Sequence, residues 1–268
     1  MGQLRPKSRT LSRRPALDRP APSNRPSRRG ISRIAINTGG GDAPGLNAVI
    51  RSIVLSAVDR GIECVGIRDG YQGLLDPASY PQGGLVPLTR DSVRGITHLG
   101  GTILGTTSVG NPLCFPVVGR GGRIQEVDRS AELVQAFQRA KLDALVAIGG
   151  DGSLTIAHRL SELGLRVVGV PKTIDNDLDG TVLTFGFDTA VAFATECLDR
   201  LHTTAASHRR VMVVEVMGRY AGWIALCTGI AGSADAILIP EIPYDIRSVV
   251  RKIRAREQAG RPFSMVVV

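Results

Sequence analysis

The sequence predicts an α/β fold organised on a mostly parallel sheet. Three observations carry this expectation. Short apolar runs alternate with amphipathic stretches of helical length, the pattern of βαβ units. Two of the runs open directly into glycine-rich loops that lead into helices. A third run ends in a loop with paired carboxylates, and open α/β sheets present ligands at the carboxyl ends of their strands.

The chain has 268 residues and a net charge of +9, with 43% hydrophobic residues. That length holds one large domain or two ordinary ones. The charge is unevenly placed. Residues 1–33 hold ten Lys/Arg and one acid, Asp18, so 23 basic and 23 acidic groups remain in 34–268, a net of zero. Single-module nucleic-acid binders carry a basic face on the fold itself, so a nucleic-acid partner is not expected. Residues 1–32 are rich in Arg, Pro and Ser and have little to bury, which predicts a disordered basic tail. The composition also fits an organellar transit peptide, although five prolines oppose the amphipathic helix such peptides form. A start placed too far upstream would look the same.

From Arg33 the pattern changes. Residues 34–37 read as a strand, 38–45 as a glycine-rich loop, and 46–60 as a helix with Val49, Ile50, Ile53, Val54 and Val58 on one face. A second strand covers 64–67. Residues 68–127 are rich in Gly and Pro and give no clear elements, apart from a loop at 100–107 with the composition of a functional segment. A helix follows at 131–140, then a strand at 144–148, the loop Gly149-Gly150-Asp151-Gly152-Ser153, and a helix through Leu163. The apolar run 167–170 reads as a buried strand broken by Pro171. Beyond it come helix 189–202, strand 211–216, helix 220–230, strand 236–239, helix 246–258 and a final apolar run, 265–268. An apolar strand at the terminus suggests either a short design or an incomplete domain.

Four cysteines stand far apart, with no CxxC spacing for zinc or redox chemistry. Cys64, Cys197 and Cys227 sit in apolar contexts and read as small hydrophobes. That fits a reducing compartment and a cytoplasmic protein. No run of about 18 apolar residues is present to span a bilayer, so no membrane partner is expected.

The candidate chemistry sits in the loops. Glycines at 39–45 and 149–153 leave backbone N–H groups open, and with the following helix N-termini they form cradles for phosphate oxygens. Neither loop matches GxGxxG or the Walker pattern, which disfavours a dinucleotide site and a P-loop. Asp42 and Asp151 would repel phosphate unless Mg2+ bridged them to it. Capping a helix is the other reading for either acid. Lys172, Thr173, Asp175 and Asp177 follow the strand at 167–170; the two acids are either chemical groups or Asx-turn caps. Arg210 and Arg219 flank the strand 211–216, and arginine's fork suits phosphate; a solvated charge cluster is the alternative. Glu241 follows a strand and offers a carboxylate to sugar hydroxyls. Together these are the parts of an enzyme that transfers a phosphoryl group to a phosphorylated hydroxyl compound.

The segments GGGDAPGLNAVIR (39–51), GGTILGTT (100–107), AIGGDGS (147–153), PKTIDND (171–177), SHRRVMVVEVMGRYAG (207–222) and PEIP (240–243) resemble the phosphofructokinase family, in order and spacing, over residues 33–268. The resemblance implies two Rossmann-like α/β domains with mostly parallel sheets. The larger, 33–186, would bind nucleotide; the smaller, 187–268, would bind sugar phosphate and be incomplete. It implies transfer from MgATP to the 1-hydroxyl of fructose 6-phosphate, a step of glycolysis. Gly41, Gly150, Gly152, Ser153 and Lys172 would meet the donor phosphates, with Asp151 serving Mg2+. Asp175 would be the base, Asp177 its support, and Thr173 and Arg219 the stabilisers of the transferring group. Ile174, Met217, Gly218 and Glu241 would line the sugar site. Arg210 would reach the 6-phosphate in a neighbouring subunit of a homodimer or homotetramer.

Gly152, where users of pyrophosphate tend to carry Asp, favours ATP; Lys172 resembles the pyrophosphate users. Two departures matter more. Val109 stands where the family usually has an arginine bridging donor and sugar, a loss worth a few kcal/mol, or about a hundredfold in rate. The family also continues past the point where this chain ends, with a His and an Arg that grip the 6-phosphate. A pyrophosphate-dependent enzyme and a weakly active or inactive chain are therefore the alternatives.

Overall fold

The computed structural model describes residues 30–108, 110–119 and 122–268. Most of the expected tail, residues 1–29, and Val109 lie outside them. In chain order the elements are β1 (Arg33–Gly39), α1 (Leu46–Val58), β2 (Glu63–Ile67), α2 (Gln72–Leu75), β3 (Leu85–Leu88), β4 (Phe115–Val118), β5 (Ile124–Val127), α3 (Ser130–Arg139), β6 (Ala144–Gly149), α4 (Asp151–Glu162) and β7 (Val167–Thr173). They continue as β8 (Phe185–Gly186), α5 (Phe187–His208), β9 (Val211–Val214), α6 (Trp223–Ala231), β10 (Ala236–Ile237), α7 (Ile246–Gln258) and β11 (Ser264–Val267).

The main sheet runs β3-β2-β1-β6-β7-β8 and is parallel except for the edge strand β3. From β1 the chain goes to β2 on one side, and later strands add on the other side from β6 onward. The order therefore reverses between β1 and β6, which makes a crevice at their carboxyl ends. Register places Gly39 of β1 level with Gly149 of β6, and Gly149 level with Pro171 of β7.

Alternation sends successive side chains to opposite faces. On one face Ile34, Ile36 and Ile148 meet Leu46, Val49, Ile50 and Val54 of α1. On the other, Ala35, Leu145 and Ala147 meet Leu133 and Phe137 of α3 and Leu160 of α4. A sheet covered on both faces explains why its strands are continuous apolar runs. Leu145 is fully buried in this second layer. Leu145→Ala is expected to cost about 2–5 kcal/mol of stability, read from the shift of the urea unfolding midpoint at constant slope.

The second sheet is parallel, in the order β10-β11-β9. Met265 and Val267 of its central strand are packed against Leu198 and Ala205 of α5 and Ala225 of α6. The final apolar run is therefore the middle of a sheet. The strands β4 and β5 form a separate antiparallel hairpin. No helix among the described residues is long and apolar enough to cross a membrane.

Several boundaries differ from the expected ones. The strand expected to break at Pro171 continues to Thr173, because β8 pairs with it only at Lys172 and Thr173. Before that point β7 is a free edge on its outer side, and proline is tolerated at such an edge. Helix α1 ends at Val58, two residues early, where Gly61 turns the chain with φ 71°. Helix α5 is longer at both ends than expected, β9 and β10 are each two residues shorter, and α6 starts at Trp223. Cys64 is buried, with its thiol pushed up to about 11 mainly by burial. Cys197 and Cys227 are half-buried and Cys114 is exposed.

Candidate functional site

The crevice between β1 and β6 depends on two close approaches. A Cβ at Gly39 would lie 2.6 Å from Ser153 Oγ, and one at Gly149 would lie 2.3 Å from Ser153 Cβ. Only residues without side chains let the first turn of α4 nest between the two strand ends. The unpaired N–H groups of that turn then face the crevice and favour an anion.

A cavity of about 360 Å³ lies there, lined by 40–43, 150–153, 172–174 and Met217. The N-cap position of α4 is Gly150, so Asp151 does not cap the helix, and its exposed carboxylate has no described partner. Asp42 is likewise exposed at the rim. Lys172 is only 5% exposed and donates to the Gly41 carbonyl. Burial pushes its pKa down and the charge of Asp42 opposes that shift. A buried cation thus sits against the first glycine loop, at the Gly41 carbonyl.

No cluster of three or more His, Cys, Asp or Glu side chains able to hold a metal occurs among the described residues. Mg2+ needs none, because one or two carboxylates, waters and substrate phosphates satisfy it. Asp151, at the mouth of an anion cradle, fits that role.

Two further cavities share lining residues with this cradle. One, of about 270 Å³, shares Gly40, Gly152 and Ser153 with it and extends past Gly70, Tyr71, Thr107 and Asn111. A Cβ at Gly152, which lines both spaces, would meet nothing within 4 Å. The other, of about 590 Å³, shares Met217 and is lined by Asp175, Glu215, Gly218, Arg219 and Tyr244 among others. Thr173 and Ile174 line the cradle and Asp175 the large cavity, so the loop after β7 forms the wall between them.

Asp175 Oδ1 is buried and makes no hydrogen bond. Burial, and secondarily the charge of Asp177, push the Asp175 pKa above the usual carboxylate range. The Asp175 N–H donates to Thr173 Oγ1 at 3.1 Å. Arg219 is exposed, with its guanidinium 5.0 Å from the Tyr220 ring centre.

Two expected members stand apart. Glu241 Oε1 accepts the Gly222 N–H at 2.8 Å and so holds the start of α6 rather than lining the large cavity. Arg210 lies before the amino end of β9, whereas the cavities lie at carboxyl ends; it is exposed and lines none of the three.

A family model for phosphofructokinase matches residues 33–268. The chain belongs to the phosphofructokinase family. A relative from Clostridium perfringens, named ATP-dependent 6-phosphofructokinase 2, is 54% identical over 239 residues, which cover 89% of this chain and 64% of that protein. The chain thus spans about two thirds of the length of that phosphofructokinase. The crystal structure of Pichia pastoris phosphofructokinase in the T-state matches with a TM-score of 0.77 and 33% identity, over 91% of this chain and 26% of that one. The pyrophosphate-dependent phosphofructokinase from Marinobacter aquaeolei, at 23% identity and a TM-score of 0.72 over 88% of this chain and 60% of its own, shares the fold.

Sequence reasoning missed Tyr71 and Asn111 beside the glycine cradle, and Glu215 and Tyr244 in the large cavity. Within the expected cradle at 39–45, Gly40 lines two cavities and Gly41 one. Tyr71 and Asn111 fall in the stretch where no elements were legible. Glu215 had a signal, as an acid between two arginines beside a strand end.

Proposed function

We propose that this chain transfers a phosphoryl group from MgATP to the 1-hydroxyl of fructose 6-phosphate, giving fructose 1,6-bisphosphate and ADP. The observation that carries the reading is the orphaned, buried Oδ1 of Asp175 on the wall between an anion cradle and a larger cavity of mixed apolar and charged lining. An unpaired buried carboxylate oxygen has a cost, and it is repaid when a sugar hydroxyl arrives to be deprotonated.

In this reading the donor phosphates rest on the backbone N–H groups of 150–153 and on Lys172, with the nucleoside in the cleft past Tyr71. Mg2+, held by Asp151, would neutralise charge developing on those phosphates. The sugar phosphate occupies the large cavity against Met217, Gly218 and Arg219. Asp175 takes the proton of the attacking hydroxyl, while Thr173 and Arg219 stabilise the moving group by position and charge. The name of the Clostridium relative and the open space at Gly152 support ATP over pyrophosphate. Arg210 of a neighbouring copy would complete the 6-phosphate site in a homodimer or homotetramer, which accounts for its distance from the cavities here. The two sheets would correspond to a nucleotide domain at 33–186 and a sugar-phosphate domain at 187–268, in a cytoplasmic enzyme.

A base must be ionised to work, so turnover falls as pH drops through the raised pKa of Asp175. Asp177→Asn removes the neighbouring negative charge, which favours the ionised form. The acid-side midpoint of the pH–kcat profile is expected to move to lower pH, with burial still holding it above the ordinary Asp value of about 3.9.

The proposal is tested by 31P NMR of the purified chain with MgATP and fructose 6-phosphate. The expected product carries phosphate on both C1 and C6, and ADP appears in equal amount. A second reading, a weakly active chain, rests on Val109 in place of a bridging arginine; absence of product would favour it.

A further inference from the structure

Asn176 separates Asp175 from Asp177 and adopts φ 53°, the left-handed region. A residue other than glycine holds that conformation only where its surroundings over-determine it. Its side chain shows what does so. Asn176 Oδ1 accepts the Thr184 N–H at 2.9 Å, and Nδ2 donates to the Val182 carbonyl at 3.3 Å. Both partners are backbone groups of fixed polarity, so the orientation of the amide is determined. Thr184 is only 3% exposed, and its hydroxyl donates to the Thr173 carbonyl at 2.6 Å. The segment 173–177 is thus tied to 182–184 at both ends.

The bonds that shape this turn come from Thr173, Asn176 and Thr184. Neither carboxylate contributes one. Neither acid makes the Asx-turn that the sequence allowed: Thr173 Oγ1 accepts the Asp175 N–H, and the Asn176 amide spans to 182–184, which leaves both acids free for chemistry.

We propose that Asn176 is a positioning residue: its left-handed backbone and its two-way amide bond to 182–184 set where Asp175 and Asp177 point. The inference rests on the reading of Asp175 as the base. Asn is suited to the task because it tolerates this backbone region and offers an acceptor and a donor together. Asp in its place would set an oxygen against the Val182 carbonyl, and leucine or valine would strain the backbone.

The test compares Asn176→Gly and Thr184→Val with the unsubstituted chain. Glycine keeps the positive φ and removes both side-chain bonds; valine removes only the hydroxyl tie. Asn176→Gly is expected to lower kcat about 30- to 100-fold, the cost of a misplacement on the order of 1 Å, with both KM values held within about threefold. Thr184→Val should move in the same direction by less. Amide hydrogen exchange supplies a readout independent of turnover. At the Asp175 N–H, exchange is expected to quicken about tenfold in Asn176→Gly while β6 amides keep their rates.

A kcat within about threefold of the unsubstituted chain overturns the proposal, as does a fall in stability with no separation of kcat from KM. Should Asn176→Gly fail to fold, Thr184→Val decides by the same criteria. Should the unsubstituted chain turn over with neither ATP nor pyrophosphate, the functional reading falls. Exchange at Asp175 then judges the positioning alone, and unchanged protection overturns it.

Discussion

Asp175→Asn is expected to lower kcat about 10²- to 10⁴-fold, the range for loss of a positioned general base. The amide has the same shape as the acid and cannot accept the proton of the sugar hydroxyl. The fold should survive, because the Asp175 side chain makes no hydrogen bond that holds the structure and Oδ1 is unpartnered. Replacing the acid also removes a buried charge that stands beside Asp177. Affinity for nucleotide should stay within about threefold, since the cradle is built from 150–153 and Lys172 rather than from this side chain. Steady-state kinetics beside equilibrium nucleotide binding check both halves. Unchanged turnover would remove Asp175 from the chemistry.

Gly152→Asp is expected to raise KM for ATP about a hundredfold and leave KM for fructose 6-phosphate within about threefold, like-charge contacts costing several kcal/mol. A Cβ at Gly152 meets nothing within 4 Å, so the substitution is accommodated without displacing the loop. An acid in the first turn of α4 also suits the helix dipole. Stability should therefore hold while the new carboxylate projects from a position that lines both the cradle and the neighbouring cleft. Differential scanning calorimetry separates the two effects: a large drop in Tm would show that Gly152 serves the fold rather than the donor site.

The frame of the main sheet was legible in the sequence because β1, β2 and β6 are buried strands with near-continuous apolar runs; the apolar run of β7 is not the buried strand expected, because its outer edge is free there and Val168 is 60% exposed. Glycines at 39 and 149 marked where two of them end. The stretch 68–127 was opaque for physical reasons. Helix α2 is a single turn, β3 is an edge strand containing Pro87, and β4 and β5 form a mostly exposed hairpin with no core to dictate alternation. Pro171 misled because a proline ends a strand only where both edges are paired, and β7 has a free edge there.

In the site, residue type and spacing found Asp151, Lys172 and Asp175. They did not reveal which acids were already engaged. Glu241 looked like a sugar ligand and is bonded to the start of α6, while Asp175, for which a turn cap was the alternative reading, has an unpartnered Oδ1. That difference is one of partners, and partners are fixed by tertiary structure.

The central claim is that the glycine cradle and the cavity lined by Asp175, on either side of the segment 173–175, bring a nucleotide and a sugar phosphate together. The most direct measurement is the rate of fructose 1,6-bisphosphate formation by the purified chain, with Mg2+ and fructose 6-phosphate, using ATP in one reaction and pyrophosphate in the other. Turnover with ATP and little with pyrophosphate is the predicted result. Turnover with pyrophosphate alone, or with neither donor, would contradict it.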